Sequence, residues 1–204
     1  MNTDMHGGKT ETGNMENSGG RPGSRWRIAV WGTAAFILLL PLLAMQFTDE
    51  VAWDLADFAI VGAMLVGACG TYELAARVTD NATYRFAVGV ALAAAFILVW
   101  LSFGVGIIGK DGDPANLMYF GVLAVGITGA IIARLQPHGM ARALVATALA
   151  QALVAAVALI AGLGLPWSGA LELTLLNGIF VVLFVGSAWL FRRAALGRPE
   201  RDGA

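Results

Sequence analysis

Residues 84–109 read YRFAVGVALAAAFILVWLSFGVGIIG, and after Arg85 this run carries no charged side chain. About 20 mostly apolar residues, rising 1.5 Å each, cross the hydrocarbon of a bilayer, so the stretch is a membrane span. Five more stretches of similar character flank it: 26–47 (WRIAVWGTAAFILLLPLLAMQF), 53–76, 117–133, 143–165 and 174–191. The segments between them, TDEVA, RVTDNAT, KDGDPAN, RLQPHGMAR and PWSGALEL, carry charge or turn chemistry. The pattern predicts an all-α, polytopic integral membrane protein folded as a six-transmembrane-helix bundle.

Composition agrees. The chain has 204 residues, 58% of them hydrophobic and 13% charged, with mean hydropathy +0.72. Soluble domains run near 25% charged, so this chain cannot cover a water-facing surface. Nor is it a disordered chain. A net charge of −1 leaves no footprint for nucleic acid. One cysteine, Cys69, excludes an internal disulfide framework. Pro114, Pro137 and Pro166 fall between spans, whereas Pro41 lies inside the first and predicts a kink there.

The few charges set the threading. With the N-terminus cytoplasmic, all 11 arginines and Lys9 face the cytoplasm, and Lys110 alone faces out. The acids at 49, 50, 54, 57, 111, 113 and 172 then face out, and the even number of spans returns the C-terminus to the cytoplasm. Trp26, Trp31 and Trp189 mark the inner interface, and Trp53 and Trp167 the outer. Residues 1–25 read as a disordered cytoplasmic tail, 26–191 as the membrane domain and 192–204 as a basic cytoplasmic tail. The first span is too long for a secretory signal and no small-x-small cleavage site follows it, so an uncleaved anchor is expected.

A shift of 57 residues lays ARVTDNATYRFAVGVALAAA (76–95) on ARLQPHGMARALVATALAQA (133–152), with eight identities. Arg77 then meets Arg134, and Arg85 meets Arg142. Two readings stand: a duplicated hairpin formed by spans 2–3 and 4–5, or a chance match between alanine-rich helices with arginines in their inner turns.

Several polar residues are candidates for ion or solute handling. Glu50, Asp54 and Asp57 have i, i+4, i+7 spacing, which places three carboxylates on one helical face at the outer end of span 2. Acids in a first helical turn are also favoured by the macrodipole while staying in water, which is the plainer reading. The DGDPAN loop lacks the closing glutamate of an EF-hand, so no metal site is expected. Asp57 and Glu73 can enter the bilayer near its two faces, and Glu73 stands four residues before Arg77, the spacing of a helical ion pair. Gln151 is the most deeply placed polar side chain, with Thr128 and Asn177 as others. Such groups usually bond a neighbouring helix. Small residues recur at packing intervals in Ala59/Ala63/Gly67, Gly89/Ala93 and Gly121, Gly126 and Gly129.

No catalytic or cofactor-binding group is expected. His6 lies in the tail and His138 in a turn, so no histidine sits inside a span to ligate a haem or metal. There is no Walker A motif, GxSxG elbow, GxGxxG fingerprint or HExxH, and no loop long enough for a catalytic domain. The chain is not expected to be an enzyme.

The stretch GVGIIGKDGDPANLMYFGVLAVGITGAIIAR (104–134), and within it DPANLMYFGVL (113–123), resembles a family of small, functionally uncharacterised bacterial inner-membrane proteins. These share an NPANLMYFGVL-like core followed by a segment like MARALVATALAQALVA (140–155 here). The resemblance implies a multi-pass protein of the bacterial inner membrane. The DPAN tetrapeptide itself reads as a turn in which Asn116 caps span 4, with Tyr119 at the outer interface.

Two functional readings follow. One is a non-catalytic accessory or structural component acting through helix–helix association, as a homo-oligomer or with a membrane-protein partner in the lipid bilayer. The other is a small transporter or channel for a cation or neutral solute, using Asp54, Asp57, Glu73, Asn116 and Gln151. A wet cleft joining Glu73 and Gln151 would favour the second; packing of both against helices would favour the first.

Overall fold

A computed structural model describes residues 22–48, 52–110 and 112–197. The terminal segments 1–21 and 198–204, and with them most of the expected tails, lie outside the described residues, as do Asp49, Glu50 and Asp111. The described chain forms six long helices: α1 Pro22–Ala44, α2 Leu55–Val78, α3 Ala82–Gly104, α4 Met118–Ala133, α5 Pro137–Ile160 and α6 Ala170–Leu196. A 3-10 turn, Pro114–Leu117, leads into α4. Each of the six lies in a segment long and apolar enough to cross a membrane, so the protein is an all-α, multi-pass membrane bundle.

The helices part into a core and an annex. α5 packs between α4 and α6, α6 also packs on α3, and α3 touches α4, which closes a four-helix core. α2 leans on α3, and α1 on α2. Two separate apolar clusters reflect this division. The larger includes Leu98, Val122, Leu144, Phe180, Phe184 and Phe191; the smaller is Ala34, Leu65 and Cys69. Only 6% of the α1 span and 11% of the α2 span is buried, against 33% for α5 and for α6.

Lipid tails are as apolar as leucine, so packing of helices in a membrane is driven by close van der Waals contact and interhelical hydrogen bonds. The sequence supplies close contact at α4–α5. A Cβ on Gly129 would stand 2.6 Å from that of Ala143, and one on Gly139 would stand 2.7 Å from that of Ala133. A Cβ on Gly126 would come within 3.1 Å of Thr147 Oγ1. Gly121 has open space instead, and Ala59, Ala63 and Gly67 face outward from the chain.

Helix ends differ from the apolar runs in instructive ways. α3 stops at Gly104 rather than 109, because Gly106 and Gly109 take positive φ (78° and 74°) and turn the remaining apolar residues back on the bundle. α5 begins at Pro137, whose missing N–H costs nothing at the first helical position, and α6 runs on to Leu196 past Arg192 and Arg193. α1 starts at Pro22, inside the segment expected as tail, and ends three residues after Pro41, so the proline falls in its last turn.

All described arginines gather at one end, hereafter the arginine end. There Arg27 of α1 meets Glu73 of α2, Tyr84 of α3 packs edge-on against Phe191 of α6 at 5.0 Å, and the Tyr84 hydroxyl donates to the Leu135 carbonyl in the turn between α4 and α5. Asp54, Asp57, Asp113 and Glu172 lie at the other, acid end.

Candidate functional site

The acid end is closed by the DPAN segment and what it holds. After α3 the chain folds inward, so that Ile107 and Ile108 are 1% and 0% exposed. Their backbone N–H groups need acceptors, since buried backbone without partners is not tolerated at membrane depth. Asn116 supplies both: its Oδ1 accepts from Ile107 N and Ile108 N at 2.9 Å each. Its Nδ2 donates to the Ile108 carbonyl at 3.0 Å. Asn116 therefore clamps the preceding loop and does not cap α4, as its position suggested. The 3-10 turn explains the difference, because Met118 N already bonds the Ala115 carbonyl and the turn itself is capped by Asp113, whose Oδ1 accepts from Ala115 N at 2.9 Å.

The next loop locks over this plug. Gly109 N donates to Ser168 Oγ at 3.0 Å, and that hydroxyl lies 3.1 Å from the Gly109 carbonyl, to which it can donate. Gly164, at φ 93°, approaches so closely that a Cβ would stand 2.8 Å from Gly109 N. Only glycine fits there, on both counts.

Below the plug sits a buried polar triad contributed by three helices. Tyr119 of α4 donates its hydroxyl to Asn177 Oδ1 of α6 at 3.0 Å, and Gln151 Nε2 of α5 donates to the same oxygen at 2.8 Å. Asn177 Nδ2 bonds back to the Leu173 carbonyl at 2.8 Å. Exposures are 1%, 0% and 1% for Tyr119, Gln151 and Asn177. Gln151 Oε1 is the buried side-chain atom left without a hydrogen-bond partner among the described residues. Gln151 thus bonds a neighbouring helix as expected, while Tyr119 is in the core and not at the interface. Thr128 faces outward and takes no part.

The acids are placed apart from the triad and from one another. Asp54 has extended backbone (φ −94°, ψ 179°) and precedes α2, so it does not share a helical face with Asp57. The two instead form a reciprocal cap. Asp54 Oδ1 accepts from Asp57 N at 2.9 Å, and Asp57 Oδ2 accepts from Asp54 N at 3.0 Å. The third member of the expected row, Glu50, lies outside the described residues. At the arginine end Glu73 accepts from Arg77 one turn on, pairs with Arg27 of α1 at 2.8 Å and receives Trp31 Nε1 at 3.4 Å. It fastens α1 to α2.

Ser168 and Ser187 escaped sequence reasoning. Ser187 Oγ donates to the Ala87 carbonyl at 2.7 Å and joins α6 to α3. A serine in a glycine-alanine stretch looks like any other small packing residue, so nothing local marks it. Among the described residues, no three His, Cys, Asp or Glu side chains come together as a metal-binding group. The arginines paired by the internal match also differ in setting: Arg77 is ion-paired within α2, whereas Arg134 is the left-handed residue (φ 46°) that ends α4. Comparison of the chain with known families, curated proteins and solved structures finds no match.

Proposed function

We propose that this chain is a non-catalytic component of a bacterial inner membrane that acts through association of its helices, with both termini in the cytoplasm. One observation carries the reading: the candidate polar side chains do not meet in a common wet cleft, and the deepest of them bond one another in a closed core. Of the buried side-chain polar atoms, Gln151 Oε1 alone is left unpartnered among the described residues. Gln151, Tyr119 and Asn177 share a single acceptor inside a sealed core. Glu73 is held at the arginine end by Arg27 and Arg77. The outward row Ala59, Ala63 and Gly67 supports it too, since small residues on an open face let another helix approach closely. The placement of arginines supports the orientation, and the likeness of residues 104–134 to bacterial inner-membrane proteins supports the location.

The experiment has two arms. Purified protein in sealed vesicles is assayed for proton, potassium and sodium flux; rates equal to empty vesicles are expected, and a flux lost in Gln151→Leu would overturn the reading. In native membranes, Ala63→Cys on a Cys69→Ala background is oxidised; a discrete cross-linked species is expected, absent from Leu153→Cys on α5.

A further inference from the structure

The arginines of the arginine end fall into three kinds. Arg27 and Arg77 are neutralised by Glu73. Arg85 and Arg193 lie over the rings of Trp26 and Trp189, at 4.7 and 3.6 Å from the centroids. Arg134, Arg142 and Arg192 have no carboxylate within ion-pair distance among the described residues, and all three border the start of α5. Two clefts flank that helix end. One, of about 590 Å³ between α4 and α5, is lined by Arg134, Gln136 and Arg142 beside Ile132. The other, of about 410 Å³ between α5 and α6, is lined by His138, Arg142 and Arg192 over Ala141, Val145 and Leu149. No acid lines either cleft.

Three features define what fits. The walls are cationic and use guanidinium groups, which match phosphate oxygens by paired hydrogen bonds. The N-terminus of α5 adds its dipole to them, since Gln136 makes no side-chain cap there. The floor is apolar and continues into the membrane: Val145, Leu149 and Leu153 stand at i, i+4, i+8 on one outward face of α5, at 42, 66 and 64% exposure. A free anion would use the arginines and leave that row bare, whereas a molecule with a phosphate and an acyl chain uses both.

We propose that the α5–α6 cleft binds an anionic phospholipid of the leaflet on the arginine side. Its phosphate sits between Arg142 and Arg192 and one acyl chain lies along Val145, Leu149 and Leu153. Arg134, across the helix start, receives the second phosphate when the lipid carries two.

The test uses the full chain in neutral-detergent micelles, equilibrated with phosphatidylglycerol, cardiolipin or phosphatidylcholine and read by native mass spectrometry. Retained phosphatidylglycerol and cardiolipin are expected, with phosphatidylcholine at background. A surface arginine contributes about fivefold to binding of an anionic lipid, so Arg142→Gln with Arg192→Gln lowers retention about 25-fold. Arg85→Gln and Arg193→Gln, whose guanidiniums are stacked on indoles, change it less than about twofold. Unfolding midpoints in the same micelles accompany every variant. If the double variant does not fold, Arg192→Gln alone is used, with a fivefold loss expected. Undiminished retention in the folded variants would overturn the proposal. Equal retention of phosphatidylcholine would overturn it as well, as would displacement of the lipid by millimolar inorganic phosphate or glycerol phosphate, which would mark a plain anion site.

Discussion

Asn177 shows how much one oxygen can hold in a membrane core. Its Oδ1 receives two donors from two other helices, so the three members of the triad are unequal. Tyr119→Phe removes one donor and leaves Asn177 with the other; Gln151→Met does the same and also removes the unpartnered Oε1. Each is expected to cost under about 1 kcal/mol, the usual worth of an interhelical hydrogen bond, and Gln151→Met comes closest to neutral. Asn177→Leu instead strands two buried donors at about 1–3 kcal/mol each, so a loss of about 2–6 kcal/mol is expected. Thermal unfolding followed by tryptophan fluorescence in micelles ranks the three. Equal losses across the set would show that the shared acceptor has no special weight. The position of Gln151 was readable as a polar residue deep in an apolar run. Its partners were not, because they stand 26 residues away for Asn177 and, through Asn177, 58 for the Tyr119–Asn177 contact. Such pairing is set by how helices dock and leaves no local trace.

At the scale of the element, α4 and α5 owe their approach to two glycines. Gly129→Ala or Gly139→Ala places a methyl group within 2.6–2.7 Å of an alanine Cβ, so the helices must part. Overpacking of this kind costs about 1–3 kcal/mol, visible as a lowered unfolding midpoint. Gly121→Ala, on the same helix but in open space, is the control and should be neutral or slightly stabilising, since alanine favours helix over glycine. Matching losses at all three positions would point to helix flexibility rather than contact. The six helices were legible because apolar length alone marks a span, but their limits were not. Arg142, Arg192 and Arg193 sit inside α5 and α6 although charge suggested an end, because a helix can continue into the interface with arginines directed to water. The segment Val105–Gly109 errs the other way. It is apolar enough to extend α3, yet two left-handed glycines and the Asn116 amide make it a folded-back plug.

For the whole molecule, the division into a four-helix core and an α1–α2 annex predicts uneven stability. Few residues of the annex are buried, and Glu73 with Arg27, Trp31 and Arg77 supplies its main polar fastening. Amide exchange in micelles should therefore open α1 and α2 at lower free energy than α3, α5 and α6. Glu73→Gln should speed exchange in α1 and leave the core unchanged, whereas one uniform exchange rate across six helices would show a single cooperative unit. The central place of α6 has a consequence for biosynthesis. It is made after every helix it touches, and it alone carries the acceptor that Gln151 and Tyr119 share and the hydroxyl that bridges to Ala87. Until α6 arrives, the Gln151 amide and the Tyr119 hydroxyl lack their shared acceptor, and α3 meets the rest of the core only through its small contact with α4. Completion of α6 is thus the step that satisfies these groups: a chain that stops short of it leaves the polar ends of Gln151 and Tyr119 unpaired in an apolar interior, where such groups are costly.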